Sequence, residues 1–339
     1  MSTSELVTNA NALVASGKGI LAADESTGTI KKRFASIAVE STEDSRRDYR
    51  ELLFTTAGLR DFISGVILYD ETIRQKARDG APLVEILQSQ GIMPGIKVDA
   101  GAKPLAGKPG ETVTEGLDGL RDRLNEYYAM GARFTKWRAV IRIECHLPSR
   151  HCIHANAEAL ARYASLSQEA GLVPIIEPEV LMDGDHSLDR CARVTEATQQ
   201  VVFRALRLHG VSLEGMLLKP NMVLPGADHD PQASVEKVAE ATVALLKRTV
   251  PAAVPGIVFL SGGQSDKDAT AHLNAMNKIT ASPPWRLSFS YGRALQAATL
   301  NAWSGKGGNV ANGQAALRHR AGLNGAASQG LYNVGMEAG

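Results

Sequence analysis

The segment Gly215-Met216-Leu217-Leu218-Lys219-Pro220-Asn221-Met222 ends an apolar run on a lysine. Apolar runs of this length closed by proline read as buried strands. A buried ammonium is expensive to hold and tends to give up its proton. The neutral amine left behind is a nucleophile that condenses with a carbonyl to form an imine. A lone lysine at a strand end can equally snorkel into water, so its company decides. Asp24, Lys97 with Asp99, Lys136 with Arg138, and Glu177 with Glu179 each close an apolar run of their own. Side chains alternate faces along a strand, so Lys136 and Arg138 share a face, as do Glu177 and Glu179. Lys136 and Lys97 are the candidate cations that would favour the neutral form of Lys219. Glu177 and Glu179 offer general acid–base capacity for dehydrating a carbinolamine, and Asp24 is a separate carboxylate for a substrate hydroxyl proton. The same groups can simply be ion-paired, and such pairing can itself tune a catalyst.

Two further clusters suit phosphate. Ser261-Gly262-Gly263-Gln264-Ser265 and Tyr291-Gly292-Arg293 follow the last two apolar runs. Glycines let backbone N–H groups approach an anion, a following helix start adds a favourable dipole, and arginine binds phosphate through two parallel hydrogen bonds. Ser26-Thr27-Gly28-Thr29 followed by Lys31-Lys32-Arg33 lies just past Asp24 and suggests a second phosphate. Cys145-His146, His151-Cys152, His154, Asp183-Gly184-Asp185-His186 and Asp228-His229-Asp230 show no recognised metal-ligand spacing.

Positioning these groups takes a repeated scaffold. Strands are expected over 19–24, 65–70, 95–99, 133–138, 173–179, 216–221, 257–261 and 287–291. Their ends lie roughly 30 to 45 residues apart, as strand–helix units require. Helical patterns lie between them: one opened by Ser41-Thr42-Glu43-Asp44, one over 157–164 and one over 235–246. Eight such units predict an α/β fold, a (β/α)8 barrel in one domain spanning 1–339, with parallel strands and the site at their carboxyl ends. A doubly wound sheet would need a glycine-rich phosphate loop after the first strand, which Gly28 alone does not supply. Leu6, Ala10, Leu13 and Val14 follow helical spacing within 1–17 rather than a targeting pattern. Residues from about 304 to 339 are expected to form a C-terminal helix, near 314–329, and a mobile tail over 333–339.

Of 339 residues, 37 are Lys or Arg and 36 are Asp or Glu, a net charge of +1 that invites neither nucleic acid nor an anionic membrane. No window approaches the length of a membrane span. Three cysteines make a sparse, odd set that argues for a reducing, cytoplasmic setting. Aromatics are 5% of the chain, so Trp137, Trp285 and Trp303 read as packing residues.

Taken together, Leu21-Ala22-Ala23-Asp24-Glu25-Ser26-Thr27-Gly28, Gly95-Ile96-Lys97-Val98-Asp99, Lys136-Trp137-Arg138, Glu177-Pro178-Glu179, Leu218-Lys219-Pro220-Asn221-Met222, Leu260-Ser261-Gly262-Gly263-Gln264-Ser265 and Ser290-Tyr291-Gly292-Arg293-Ala294-Leu295-Gln296 resemble the class I fructose-1,6-bisphosphate aldolases, in that family's order and over nearly the whole chain. The resemblance implies reversible cleavage of fructose 1,6-bisphosphate to glycerone phosphate and glyceraldehyde 3-phosphate, in glycolysis and gluconeogenesis. It implies Lys219 as the Schiff-base lysine, Glu177 as acid–base residue with Lys136 assisting and Glu179 beside it, and Asp24 as the group that deprotonates the C4 hydroxyl. Ser261, Gly262, Gly292 and Arg293 would hold the phosphate of the ketose half, with Ser290 a further substrate contact. Lys97, Lys32, Arg33 and Arg138 would attract the other phosphate, helped by Ser26 and by Thr29, which stands where the family commonly has a serine. It also implies no cofactor and no metal beyond the covalent imine, a sugar bisphosphate as ligand, and a cytoplasmic homotetramer. A transaldolase-like enzyme or a noncatalytic scaffold are the alternatives. Eukaryotic members commonly end in a mobile tail with a catalytic tyrosine. Here the last tyrosine, Tyr332, resembles one upstream of that tail and receives no catalytic role.

Overall fold

Every expected strand forms, and the strands close on one another. The computed structural model describes residues 3–279 and 283–338. Its strands are β1 (Gly19–Ala22), β2 (Ile63–Leu68), β3 (Met93–Lys97), β4 (Ala102–Pro104), β5 (Thr112–Thr114), β6 (Phe134–Ile141), β7 (Val173–Val180), β8 (Leu217–Leu218), β9 (Gly256–Phe259) and β10 (Arg286–Tyr291). Eight of them form a closed barrel in the order β1-β10-β9-β8-β7-β6-β3-β2, with neighbours parallel, as a (β/α)8 fold requires. Helices fill the connections. Glu43–Phe54 is opened by a capping box between Thr42 and Ser45; the expected 157–164 and 235–246 lie inside Arg150–Glu169 and Val235–Thr249. β4 and β5 make a separate antiparallel pair that alternation did not reveal, since β4 is exposed at all three residues.

Strand ends differ from expectation for physical reasons. β8 was expected over 216–221 but stops at Leu218. Pro220 carries no N–H and cannot extend the ladder, although its carbonyl still accepts from the Leu260 N–H at 3.1 Å. Lys219 and Asp24 therefore stand just past their strands, at the mouth. β6 runs to Ile141 instead of 138 because Val140 and Ile141 continue to pair with Glu179 and Val180.

The amino end of the barrel is plugged. Helix Thr3–Leu13 turns Leu6, Ala10 and Leu13 inward, joined by Val14, against Ile20, Ile67, Phe134, Val173, Ile175, Leu217 and Val258. Residues 1 and 2 of the expected N-terminal helix lie outside the described residues. Phe134 occupies space that Gly65 and Gly95 leave free; a Cβ on Gly95 would come within 2.3 Å of its ring. Gly95→Ala is expected to lower stability by about 1–3 kcal/mol through overpacking, read as a lower urea midpoint at unchanged m-value.

The expected C-terminal helix is Val310–Ala327, beginning earlier than residue 314. Beyond it, Val334–Ala338 forms a 3-10 turn, and Arg320 donates to both carboxylate oxygens of Glu337 at 2.8 and 2.7 Å. Residue 339 lies outside the described residues. The tryptophans pack as read from sequence: Trp137 stacks on Tyr163 and Trp303 on Tyr49, while the indole N–H of buried Trp285 donates to the Val250 carbonyl.

Candidate active site

Four charged side chains from four strands meet in the barrel mouth. Lys219 is 3% exposed, and its Nζ lies 3.2 Å from Glu177 Oε1. Lys136 Nζ reaches the same carboxylate at Oε2, 3.3 Å away, and contacts Asp24 Oδ2 at 2.6 Å. β6, β7 and β8 are neighbours, whereas β1 is separated from β6 by β2 and β3 and stands opposite β7. Glu177 thus separates the two lysines, and Lys136 bridges the mouth to Asp24. Oε2 of Glu177 has this ion contact but no aligned hydrogen bond among the described residues.

The electrostatics follow from burial opposed by pairing. Desolvation works against the Lys136 ammonium, but Asp24, Glu177 and Asp99 outweigh it and hold Lys136 protonated well above the ordinary lysine range. Burial likewise favours a neutral Asp24, yet Lys136, Lys219 and Lys97 drive its pKa below the usual carboxylate range. Glu177 is also lowered: desolvation opposes, while Lys136, Lys219 and Arg138 prevail. At neutral pH both carboxylates are ionised. Coulomb attraction at this depth is only weakly screened, so the cluster holds its geometry without bound substrate.

Around it lie the other expected residues. Lys97 and Lys136 are register partners on β3 and β6, and Lys97 Nζ turns aside to donate to the carbonyl and carboxylate of Asp99 at 2.8 and 2.5 Å. The Arg138 Nε–H donates to Glu179 Oε2, which commits Glu179 to an ion pair beside Glu177. Sequence reading placed Lys136 and Lys97 as the neighbours of Lys219; the side chain in direct contact is a carboxylate.

The phosphate candidates sit at turns and helix starts. The Ser261 carbonyl accepts the Gln264 N–H at 3.1 Å across a turn, and Gly262 has φ +57° at its first central position, where the left-handed region favours glycine. Gly292 is the N-cap of helix Arg293–Trp303. Buried Ser290 has no hydrogen-bond partner for its Oγ among the described residues. Ser26 is the N-cap of helix Thr27–Ala35 and makes no side-chain cap bond; its hydroxyl lies 3.1 Å from that of Thr29. Thr29, Lys32, Arg33 and Arg293 line one cavity of about 450 Å³, so clusters 260 residues apart in sequence share a wall.

The model of the class-I fructose-bisphosphate aldolase family matches residues 5–339. The chain belongs to the class-I fructose-bisphosphate aldolase family. It is an aldehyde-lyase, a fructose-bisphosphate aldolase. A relative from Xanthomonas campestris pv. campestris named "Probable fructose-bisphosphate aldolase class 1" is 60% identical over 98% of this chain and 99% of its own length. Arabidopsis thaliana "Fructose-bisphosphate aldolase 5, cytosolic" is 57% identical over 98% and 92%. The solved structure of the Plasmodium falciparum fructose-bisphosphate aldolase, in complex with TRAP and a small-molecule inhibitor, superposes with a TM-score of 0.96 at 52% identity, covering 97% of this chain and 95% of that one.

In this aldolase, sequence reading missed the support beneath Arg33. The Arg33 guanidinium donates to Glu25 Oε1, Arg50 donates to Oε2 at 2.6 Å, and Gln296 Nε2 donates to Oε1 at 2.9 Å. The one legible signal was an acid directly after Asp24. Burial alone would raise the Glu25 pKa, but Arg50 and Arg33 lower it overall. A depressed carboxyl contributes stability above its unfolded pKa of about 4.3 and loses it as pH falls through the folded value. Glu25→Gln is expected to cost about 3–5 kcal/mol at pH 7, by leaving Arg50 buried without its partner. It should also flatten the loss of stability below about pH 4.3. Urea unfolding at pH 7 and pH 3.5 checks both signs.

The aldolase does not assemble the histidine and cysteine motifs into a site. Among the described residues no group of three or more His, Cys, Asp or Glu is placed to hold a metal ion. Instead the 183–186 segment and residues 226–230 bind each other through backbone: the Gly226 N–H donates to the His186 carbonyl at 2.7 Å and the Asp228 N–H to Gly184 at 2.9 Å.

Proposed function

We propose that this aldolase cleaves fructose 1,6-bisphosphate through an imine on Lys219. The observation that carries the reading is Glu177 held between Lys219 and Lys136 with Asp24 across the mouth. Lys219 passes its proton to Glu177, 3.2 Å away, and the free amine attacks the substrate C2 carbonyl. The carbinolamine then loses its hydroxyl as water, with the proton returned by Glu177. Lys136, held cationic, steadies Glu177 and Asp24 while charge moves between them. Asp24 accepts the C4 hydroxyl proton as the C3–C4 bond breaks. The bond electrons flow into the protonated imine, giving an enamine and releasing glyceraldehyde 3-phosphate. Protonation at C3 and hydrolysis release glycerone phosphate and regenerate Lys219.

Ser261, Gly262, Ser290, Gly292 and Arg293 hold the ketose-half phosphate. Lys97, Lys32, Arg33, Arg138, Ser26 and Thr29 receive the other. Holding a phosphate at each end of one open-chain sugar, with Arg293 on the cavity it shares with Lys32 and Arg33, fixes the carbonyl over Lys219, which is positioning worth several kcal/mol of barrier. The imine is the electron sink, so the reaction needs no metal. Glycolysis and gluconeogenesis, a cytoplasmic location and a homotetramer belong to the same reading. Support for the location is that Arabidopsis relatives are named cytosolic; no described helix is long and apolar enough to cross a membrane.

Comparing fructose 1,6-bisphosphate with fructose 1-phosphate, each with and without EDTA, tests this. The expected result is chelator-insensitive cleavage with kcat/KM higher for the bisphosphate. Activity lost in EDTA and restored by a divalent ion would overturn the imine mechanism.

A further inference from the structure

The turn that carries the ketose-phosphate candidates is held from behind by a residue with no part in the chemistry. Besides the Gln264 backbone N–H, the Ser261 carbonyl accepts from Gln264 Nε2 at 3.1 Å. That amide nitrogen also lies 3.6 Å from Met222 Sδ, on the segment leading away from Lys219. Gln264 Oε1 lies 2.6 Å from His272 Nδ1, on helix Asp266–Ile279 directly after the turn. Both side chains are buried, with Gln264 8% and His272 6% exposed.

Donor and acceptor roles are fixed by this geometry. A carbonyl oxygen only accepts, so the Gln264 edge facing Ser261 must be its nitrogen. Its oxygen then faces His272 and also only accepts, so Nδ1 carries the proton. Burial lowers the His272 pKa, against a weaker opposing pull from Asp268 and Glu236, so the ring is neutral at pH 7. In the neutral ring a single proton must be on Nδ1 for the chain of bonds to close.

We infer that His272 is a positioning residue for the ketose-phosphate subsite, locking the Gln264 amide and through it the Ser261–Gly262 turn that meets the phosphate. The inference rests on the subsite assignment made above. Without the Nδ1–H, a buried amide oxygen is left unpaired and the amide is free to rotate. The Ser261 carbonyl then loses its side-chain donor, and the turn loses its tie to helix Asp266–Ile279.

Borohydride trapping with two ketones separates this from a general packing role. Glycerone phosphate uses the subsite; dihydroxyacetone forms the same imine without it. In His272→Leu, half-saturation for glycerone phosphate should rise roughly three- to tenfold, the weight of one neutral hydrogen bond. That for dihydroxyacetone should stay put. His272→Asn places an amide N–H where Nδ1–H was and should restore the wild-type value. Gln264→Met cuts the relay at its other end and should reproduce the selective loss, with the double variant His272→Leu/Gln264→Met no worse than either single one. Equal shifts for both ketones, or no shift, in His272→Leu and Gln264→Met would overturn the positioning role. An absence of any adduct in the wild-type enzyme would instead bring down the Lys219 reading, and this inference with it.

Discussion

Lys219→Met is expected to lower kcat/KM for fructose 1,6-bisphosphate by a factor on the order of 10⁴ to 10⁶, the scale of removing a covalent nucleophile. Methionine fills nearly the same buried volume, so folding should survive. The substrate still finds both phosphate sites, so KM should move far less than kcat. Neither Lys136 nor Lys97 can replace the nucleophile. Lys136 is held cationic between Asp24 and Glu177, and Lys97 is bound to Asp99. Steady-state kinetics with an unfolding curve on the same preparation check the prediction. A variant with a tenth of wild-type kcat would mean that another amine or another chemistry does the work.

Glu177→Gln should lower kcat by about 10² to 10⁴, the usual worth of a positioned acid–base group. Glutamine keeps the shape and one carbonyl acceptor but takes no proton from Lys219 and returns none to the departing hydroxyl. Both lysines also lose the carboxylate between them, leaving Asp24 as the direct counter-charge of Lys136. Imine formation should become the slow step, so a borohydride-quenched time course should show adduct building up more slowly to a similar final level. Unchanged adduct kinetics with reduced turnover would move the role of Glu177 to a later step.

Much of the site was legible because barrel chemistry is written at strand ends. Apolar runs ending in Asp24, Lys97, Lys136, Glu177 and Lys219 carried both the strand positions and the candidate residues that gather at the mouth, since one period of two sets burial and direction together. What sequence spacing could not carry was contact across the barrel. Closure and strand order bring Asp24 to Lys136, and Arg33 to the same cavity as Arg293. The Glu25–Arg50 pair and the His272–Gln264 bond were invisible for a related reason. Each joins side chains whose facing depends on how a helix seats against its strand. The β4–β5 hairpin escaped because two three-residue strands, β4 exposed throughout and β5 with Val113 its one apolar residue, leave no apolar alternation. The early stop of β8, by contrast, was present in the sequence as Pro220 and needed only its missing N–H to be taken literally.

The proposed mechanism requires the amine of Lys219 to become covalently bound to a ketose. Wild-type enzyme should be incubated with glycerone phosphate, reduced with borohydride, digested, and its peptides mapped by mass. The predicted result is one modified residue, Lys219, carrying the reduced ketose, with activity lost in proportion to labelling. Full loss of activity with the label on a different lysine, or full turnover with no adduct under reducing conditions, would contradict it.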